Sequence, residues 1–251
     1  MHADRILAPL FAHTMVQVPG VRLFDAHTHI GANDPDGFRC SADELLGALA
    51  SATSRAVVFP MQEPSGYRRA NDAVLEIARA SEGRLVAFLG GTLGNFLPGS
   101  RRRFLRRLGE HLGPGGHALL GIDLVKDRDE VLAAYDDAEG VTAAFNRNVL
   151  AVLNERLGAD FDLANFEHVA RYDDHHDWIE MRLRALRACT VSVAALGLQV
   201  QFAAGEELRT EISAKFTRER FETDLRAGGL HCCAFFTDPG ERFALVLCRA
   251  T

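Results

Sequence analysis

No stretch of eighteen apolar residues occurs in the chain, and no C-x-x-C spacing links its five cysteines, Cys40, Cys189, Cys232, Cys233 and Cys248. The first absence excludes a membrane-spanning helix, and the second removes the common structural-zinc and redox signatures. Adjacent Cys232 and Cys233 would point to opposite faces of a strand, so the cysteines read as reduced packing residues. The apolar stretch from Ile6 to Phe11 lacks a secretory h-region with its cleavage site, and the expectation is a cytoplasmic protein. Excess positive charge is missing too. A net charge of -6 offers no long-range attraction to nucleic acid or an anionic membrane, and the local basic run from Ser100 to Arg107 reads as a solvated helix face. Internal repeats and low-complexity segments are also absent. What is there is a chain of 251 residues, 47% of them hydrophobic, enough to bury a substantial core as one large domain or two small ones. A monomer is expected.

From Val21 to Ala87 strand and helix alternate: a strand at Val21 to Ala26, a helix from Ala42, a strand at Ala56 to Pro60 and a helix from Arg69 to Ala80. Ser41 and Glu44 form an S-x-x-E capping box, and Gly83 stands where a C-cap glycine belongs after the second helix. This alternation predicts parallel α/β architecture. A short strand, Arg84 to Leu89, runs into the glycine-rich turn Gly90 to Asn95, and a basic amphipathic helix follows from Arg101 to Leu112. Pro114-Gly115-Gly116 then turns the chain into a buried strand, His117 to Leu124, with helical patterns over Asp129 to Asp136 and Thr142 to Leu157. From Phe166 the period changes to two. Ile179, Met181 and Leu183 alternate with Glu180, Arg182 and Arg184, as do Leu198, Val200 and Phe202 with Gln199 and Gln201, which predicts a half-solvated antiparallel sheet. A helix from Thr217 to Ala227 and strands at Leu230 to Phe236 and Phe243 to Cys248 complete the pattern.

Two groups of residues could carry chemistry. The first is Leu23-Phe24-Asp25-Ala26-His27-Thr28-His29-Ile30-Gly31, where residues two apart on a strand present both imidazoles on one side. With Arg55 to Pro60 and Asn71-Asp72, it resembles the first strands of the amidohydrolase superfamily, metal-dependent TIM-barrel hydrolases. That resemblance implies a divalent metal such as zinc on His27 and His29, with Asp25 as their orienter. A catalytic metal usually takes at least three protein ligands, and the barrel's later histidine and aspartate strands have no counterpart, so weak binding is the expectation. The cluster Asp173-Asp174-His175-His176-Asp177 reads as a polar hairpin turn.

The second group lies further along. Leu85 to Asn95, Asp123 to Asp127, Ala134-Tyr135-Asp136-Asp137, Gly140 to Asn148, Phe166-Glu167-His168, Ile179-Glu180-Met181 and Ala204 through Lys215-Phe216 resemble, in order, the SAM-dependent histidine Nα-methyltransferases of ergothioneine biosynthesis. The resemblance implies that Asn95 and Tyr135 hold the carboxylate and amino end of L-histidine and serve the reaction. It further implies that Glu211 and Ser213 hydrogen-bond the imidazole, with Met181 beside the ring and Ile212 in the same binding segment. A carboxylate and a hydroxyl suit the two nitrogens of an imidazole. Methyl transfer from S-adenosyl-L-methionine requires alignment and a free amine lone pair, with no covalent nucleophile.

The family's cofactor half, a first strand ending in a glycine-rich loop and a later acidic residue for the ribose, is not read before Gly90, so Gly90 and Gly91 are the candidate cofactor contacts. The expected fold class is therefore α/β: an incomplete Rossmann-like methyltransferase sheet over residues 85–128 and 217–251 with an inserted α+β substrate portion, 129–216. Two βα units of TIM-barrel amidohydrolase type over 21–84 and a tail of residues 1–20 precede it, a chimera joined near Arg84 to Phe88. Three readings stay open: a histidine methyltransferase, active or silenced by loss of its cofactor half; a metal-dependent hydrolase using His27 and His29; and a non-catalytic remnant that keeps a histidine cleft.

Overall fold

A computed structural model of the chain describes residues 13, 16–17, 23–51, 54–61, 63, 68–81 and 83–251. Most of the expected tail and the first two residues of the strand expected from Val21 lie outside the described residues. The chain divides into two compact units. One holds residues up to Phe88 with Glu110–Ala118 and Ala250, and the other holds Leu89–Gly109, Leu119–Arg249 and Thr251.

In the first unit, three strands lie parallel in the order β1 (Phe24–Ile30), β2 (Arg55–Pro60) and β3 (Leu85–Leu89), with Ala56 paired to Asp25 on one side and to Leu85 on the other. The linking helices are α1 (Ala42–Ser51) and α2 (Arg68–Ala80). Ala56, Val57 and Val58 are all buried, the unbroken apolar run of a strand covered on both faces. Val58 packs with Leu45 and Leu49 of α1 and with Val74 and Ile77 of α2. The capping box forms as expected: Glu44 N–H donates to Ser41 Oγ at 3.2 Å and Ser41 N–H to Glu44 Oε2 at 2.8 Å. The Ser41 N–H, and after it the Ser41 hydroxyl 2.9 Å from the same oxygen, hold the Glu44 carboxyl below its ordinary value. Gly83 follows α2 with φ +80°, a conformation that glycine adopts without a Cβ clash.

The second unit takes most of α3 (Pro98–Leu112) and β4 (His117–Asp123), followed by α4 (Arg128–Tyr135) and α5 (Val141–Leu157). Next come β5 (Phe166–Asp173), β6 (Trp178–Ala185), β7 (Cys189–Val193), β8 (Leu198–Phe202) and β9 (Glu207–Ala214). The unit closes with α6 (Arg218–Ala227), β10 (Leu230–Thr237) and β11 (Phe243–Ala250). β11 lies between β4 and β10, while β5, β6 and β9 form a separate antiparallel sheet and β7 with β8 an antiparallel ribbon. The antiparallel sheet turns Phe166, Leu183 and Ala185 onto Leu150 of α5 and onto Phe161 and Phe202. The residues from Asp173 to Asp177 do form a turn, in which Asp173 Oδ1 accepts from the N–H groups of His175 and His176 at 2.9 and 3.1 Å.

Two expectations need correcting. α3 begins at Pro98 rather than Arg101, because a proline in the first helical turn sacrifices no hydrogen bond. The basic run on that helix is not wholly solvated either: Arg101 is buried, with Nε 2.7 Å from Asp224 Oδ2. A run of like charges on a helix covers all its faces, so one member turns inward. No helix among the described residues is long and apolar enough to cross a membrane.

Candidate active site

All six residues of the expected substrate site belong to the second unit. β9 carries three of them. Glu211 pairs with Met181 of β6, and Ser213 pairs with Ile179. Alternate residues of a strand share a face, so Glu211 and Ser213 project together, whereas the side chain of Ile212 goes to the opposite face, where it is buried. The register skips between Met181 and Arg182, which leaves Thr210 unpaired as a bulge. Glu211 is half-buried and has no hydrogen-bond partner among the described residues, and burial pushes its carboxyl above the ordinary value. A partly desolvated carboxylate without a protein partner is suited to accept an N–H from a ligand.

Tyr135, at the end of α4, is brought to Ser213 by a residue that the sequence did not single out. Lys215 follows β9 and is 0% exposed. Its Nζ lies 2.7 Å from Asp123 Oδ2, 3.0 Å from Ser213 Oγ and 3.2 Å from Tyr135 Oη, and sits over the Tyr135 ring. The backbone around it is pinned: Lys215 N–H donates to Asp177 O at 2.7 Å and Phe216 N–H to Asp123 O at 2.8 Å. The visible signal was a lysine inside the apolar triplet Ala214-Lys215-Phe216, since a lysine is almost never fully buried unless paired.

Asn95 ends a short 3-10 helix, Gly91–Asn95, and is exposed. This turn rests directly on β9. A Cβ on Gly94 would stand 3.0 Å from Ala214 O and 3.5 Å from Ser213 Oγ, so a side chain there would press on the β9 backbone, and glycine allows the close approach without that strain. The far side of the turn is tied down by Arg101, whose Nη1 donates to Phe96 O at 3.2 Å while its guanidinium stacks on Phe216, 4.8 Å from the ring centroid. Burial pulls the Arg101 guanidinium below its ordinary value, and the bond to Asp224 opposes that shift.

A second positioning network reaches Tyr135 from behind. The buried Asn146 of α5 places Nδ2 2.9 Å from His168 Nδ1 and 3.0 Å from Arg182 O, and its Oδ1 accepts from the bulged Thr210 hydroxyl at 2.6 Å. His168 Nε2 lies 2.8 Å from Tyr135 O. With the Asn146 amide donating to Nδ1, the proton of the ring is on Nε2 and goes to the last carbonyl of α4.

Gly90 and Gly91, at the carboxyl end of β3, have nothing within 4 Å of where a Cβ would stand. Backbone this open fits the close approach of a cofactor. A cavity of about 680 Å³ is lined by Lys126, Phe216, Arg218 and Arg242, among others, and by none of Asn95, Tyr135, Glu211 or Ser213. Its cations are already paired, with Asp123, Glu222 and Glu130, so unpartnered polar chemistry marks the site better than volume does.

In the first unit His27 and His29 are exposed, with their Nε2 atoms 2.8 Å apart and His29 Nδ1 3.2 Å from Pro60 O. Asp25 accepts from the backbone N–H of His27 at 3.0 Å, so it braces the turn of the chain and not the imidazole rings. Among the described residues no three His, Cys, Asp or Glu side chains gather as a metal would require.

A family model described as histidine-specific, SAM-dependent methyltransferase matches residues 44–250. It thereby takes in most of the segment that resembles a hydrolase, and the likeness to methyltransferases does not begin at Leu85. The chain is 55% identical over 164 residues to the histidine N-alpha-methyltransferase of Mycolicibacterium smegmatis, covering 65% of this chain and 51% of that protein. Against the histidine N-alpha-methyltransferase of Mycobacterium tuberculosis, identity is 50% over 172 residues, 68% of this chain and 53% of that protein. Ergothioneine biosynthesis protein 1 of Neurospora crassa is 28% identical over 202 residues, 80% of this chain and 23% of that protein. The chain thus spans about half the length of the two bacterial relatives. With 44–250 of its 251 residues matched, the chain belongs to the SAM-dependent, histidine-specific methyltransferase family.

Proposed function

We propose that the second unit binds L-histidine and that the chain serves transfer of methyl groups from S-adenosyl-L-methionine to its α-amino nitrogen, in ergothioneine biosynthesis. The observation that carries this reading is Glu211: a half-buried carboxylate with no partner among the described residues, on the same strand face as the Ser213 hydroxyl. One nitrogen of an imidazole donates and the other accepts, which matches a carboxylate and a hydroxyl set side by side. Met181, paired with Glu211 in register, supplies an adaptable apolar wall for the ring. A substrate without the imidazole would leave Glu211 desolvated and unpaired, a large penalty against the wrong amino acid.

Tyr135 and Asn95 serve the other end of the substrate. The Tyr135 hydroxyl donates to the carboxylate. The Asn95 amide oxygen accepts from the α-amine while its NH2 donates to the carboxylate, so the nitrogen lone pair is turned in one direction once the ammonium proton has left. S-adenosyl-L-methionine supplies an activated sulfonium methyl, and Gly90 and Gly91 would line its approach. Calorimetric titration of the full chain with L-histidine tests the reading. Binding is expected in the parent, at least about tenfold weaker in Glu211→Ala, and undetectable for L-leucine; equal affinity of parent and variant would sink it.

A further inference from the structure

We propose that Lys215 is a positioning residue that polarises the Tyr135 and Ser213 hydroxyls so that both donate towards the substrate, and that it thereby selects L-histidine with a neutral imidazole. The inference rests on the histidine reading above and assigns a role to a residue which that reading leaves unused.

An ammonium has three N–H donors and no acceptor. Lys215 has three oxygen partners, Asp123 Oδ2, Tyr135 Oη and Ser213 Oγ. Both hydroxyls therefore meet the lysine through a lone pair and keep their own protons for other acceptors, and neither donates to any described residue. A cation behind a hydroxyl oxygen makes it a stronger donor and a poorer acceptor. Tyr135 is thus prepared for a carboxylate, and Ser213 for an imidazole nitrogen that bears a lone pair.

Imidazolium has no such lone pair. Bound here, it would force Ser213 to accept against the lysine's field and would place a second cation close to a buried one, where low dielectric strengthens repulsion. Neutral imidazole gives its N–H to Glu211 and its lone pair to Ser213. The charged and titratable groups facing this point are few. Asp123 bonds Lys215 through one oxygen and Lys126 through the other at 2.6 Å, Tyr135 comes from α4 with His168 of β5 on its backbone carbonyl, and Glu211 lies on β9. Asp177 offers its backbone carbonyl while its carboxylate meets Arg220, and Arg101, stacked on Phe216, is paired with Asp224. Among the described residues Glu211 is thus the one anion left to face the ring, and it is matched by one N–H.

The test is titration of the full chain with L-histidine at intervals from pH 5.5 to 8, beside Lys215→Met and Ser213→Ala. Parent affinity should fall about tenfold per pH unit below the imidazole's ordinary value of about 6.5. In the variants affinity at pH 8 should be about tenfold weaker, as for loss of one charge-assisted bond, and the decline towards acid should shrink to less than about threefold per unit. Protonation of Glu211 acts on all three proteins alike, so the difference in slope reports the lysine. Circular dichroism establishes that each variant folds; if Lys215→Met does not, Ser213→Ala, which keeps the lysine on Asp123, carries the comparison alone. A profile parallel to the parent's in either folded variant overturns the assignment, whatever its absolute affinity. A parent chain that binds no histidine at any pH overturns the histidine reading and this inference with it.

Discussion

A carboxylate half withdrawn from water, with no cation or donor beside it, weakens the fold that holds it. Among the described residues Glu211 is such a group. Its carboxyl titrates higher in the folded chain than in the unfolded one, so the folded state holds more protons in that interval and stability falls as pH rises through it. The deficit persists at neutral pH. Glu211→Gln should therefore melt about 1 °C or more above the parent at pH 7.5, a gain that vanishes near pH 4, while binding histidine about tenfold more weakly. Asn146 presents the opposite case, a buried amide satisfied at both ends. Asn146→Ala strands His168 Nδ1 and leaves the Thr210 hydroxyl only the Met181 carbonyl at 2.9 Å, and should cost about 1–3 kcal/mol in urea unfolding, with weaker histidine binding as the end of α4 loosens. The expectation for Glu211, Ser213, Tyr135 and Asn95 rests on blocks that resemble a known family, and the fold sets Glu211 and Ser213 on one strand face, with Tyr135 bridged to Ser213 by Lys215. Lys215, Asn146 and His168 act mainly through partners far along the chain, from 22 positions for Asn146 and His168 to 92 for Lys215 and Asp123, and no local pattern announces a pairing at that distance.

Elements were read more reliably than the contacts between them. The change of period at Phe166 was enough to predict the antiparallel strands, because one face of β6 is buried and the other carries Arg182 and Arg184 paired to Glu180 and Glu207. The inner face of α3 is hidden in the sequence, since a string of arginines conceals which one turns inward. Arg101 ties α3 to α6 through Asp224 and holds the carbonyl after Asn95. Arg101→Met should lower stability by about 3 kcal/mol, because it takes the close partner from a buried charge and leaves Asp224 only Arg102 at 3.8 Å. In an Arg101→Met, Asp224→Leu double variant most of that loss should return, yet histidine affinity should stay reduced, because Phe96 O has lost its anchor. Equal recovery of binding would show that Arg101 has no part in placing the turn.

For the molecule as a whole, acid is the vulnerable direction. Asp137 is held down at about 2, first by the Thr142 hydroxyl and then by the N–H groups of Thr142 and Val141 at the start of α5. Hydrogen bonding to His176 lowers Asp173, to Arg184 lowers Glu207, and to the Phe243 N–H lowers Asp238. Each of these carboxyls binds its proton less readily when folded, so its contribution is complete above the unfolded value near 4 and disappears as pH falls towards the folded one. The urea midpoint should drop steadily from pH 5 to pH 3, and Asp137→Asn should flatten the most acidic part of that curve. The N-terminal reading was drawn to hydrolases by two histidines on one strand. Parallel βα succession is common to barrels and open sheets, so the alternation does not arbitrate; the family match covers residues 44–250 and leaves the strand with the two histidines outside it.

The seating of Gly94 on Ala214 has a consequence for how such a site can change over time. Backbone meets backbone there, so the span from Asn95 to Ser213 works like a fixed gauge that no rotamer can reset. Selection for a bulkier amino acid would have to hollow the walls inside that gauge, because the jaws themselves cannot be moved apart without unseating a strand.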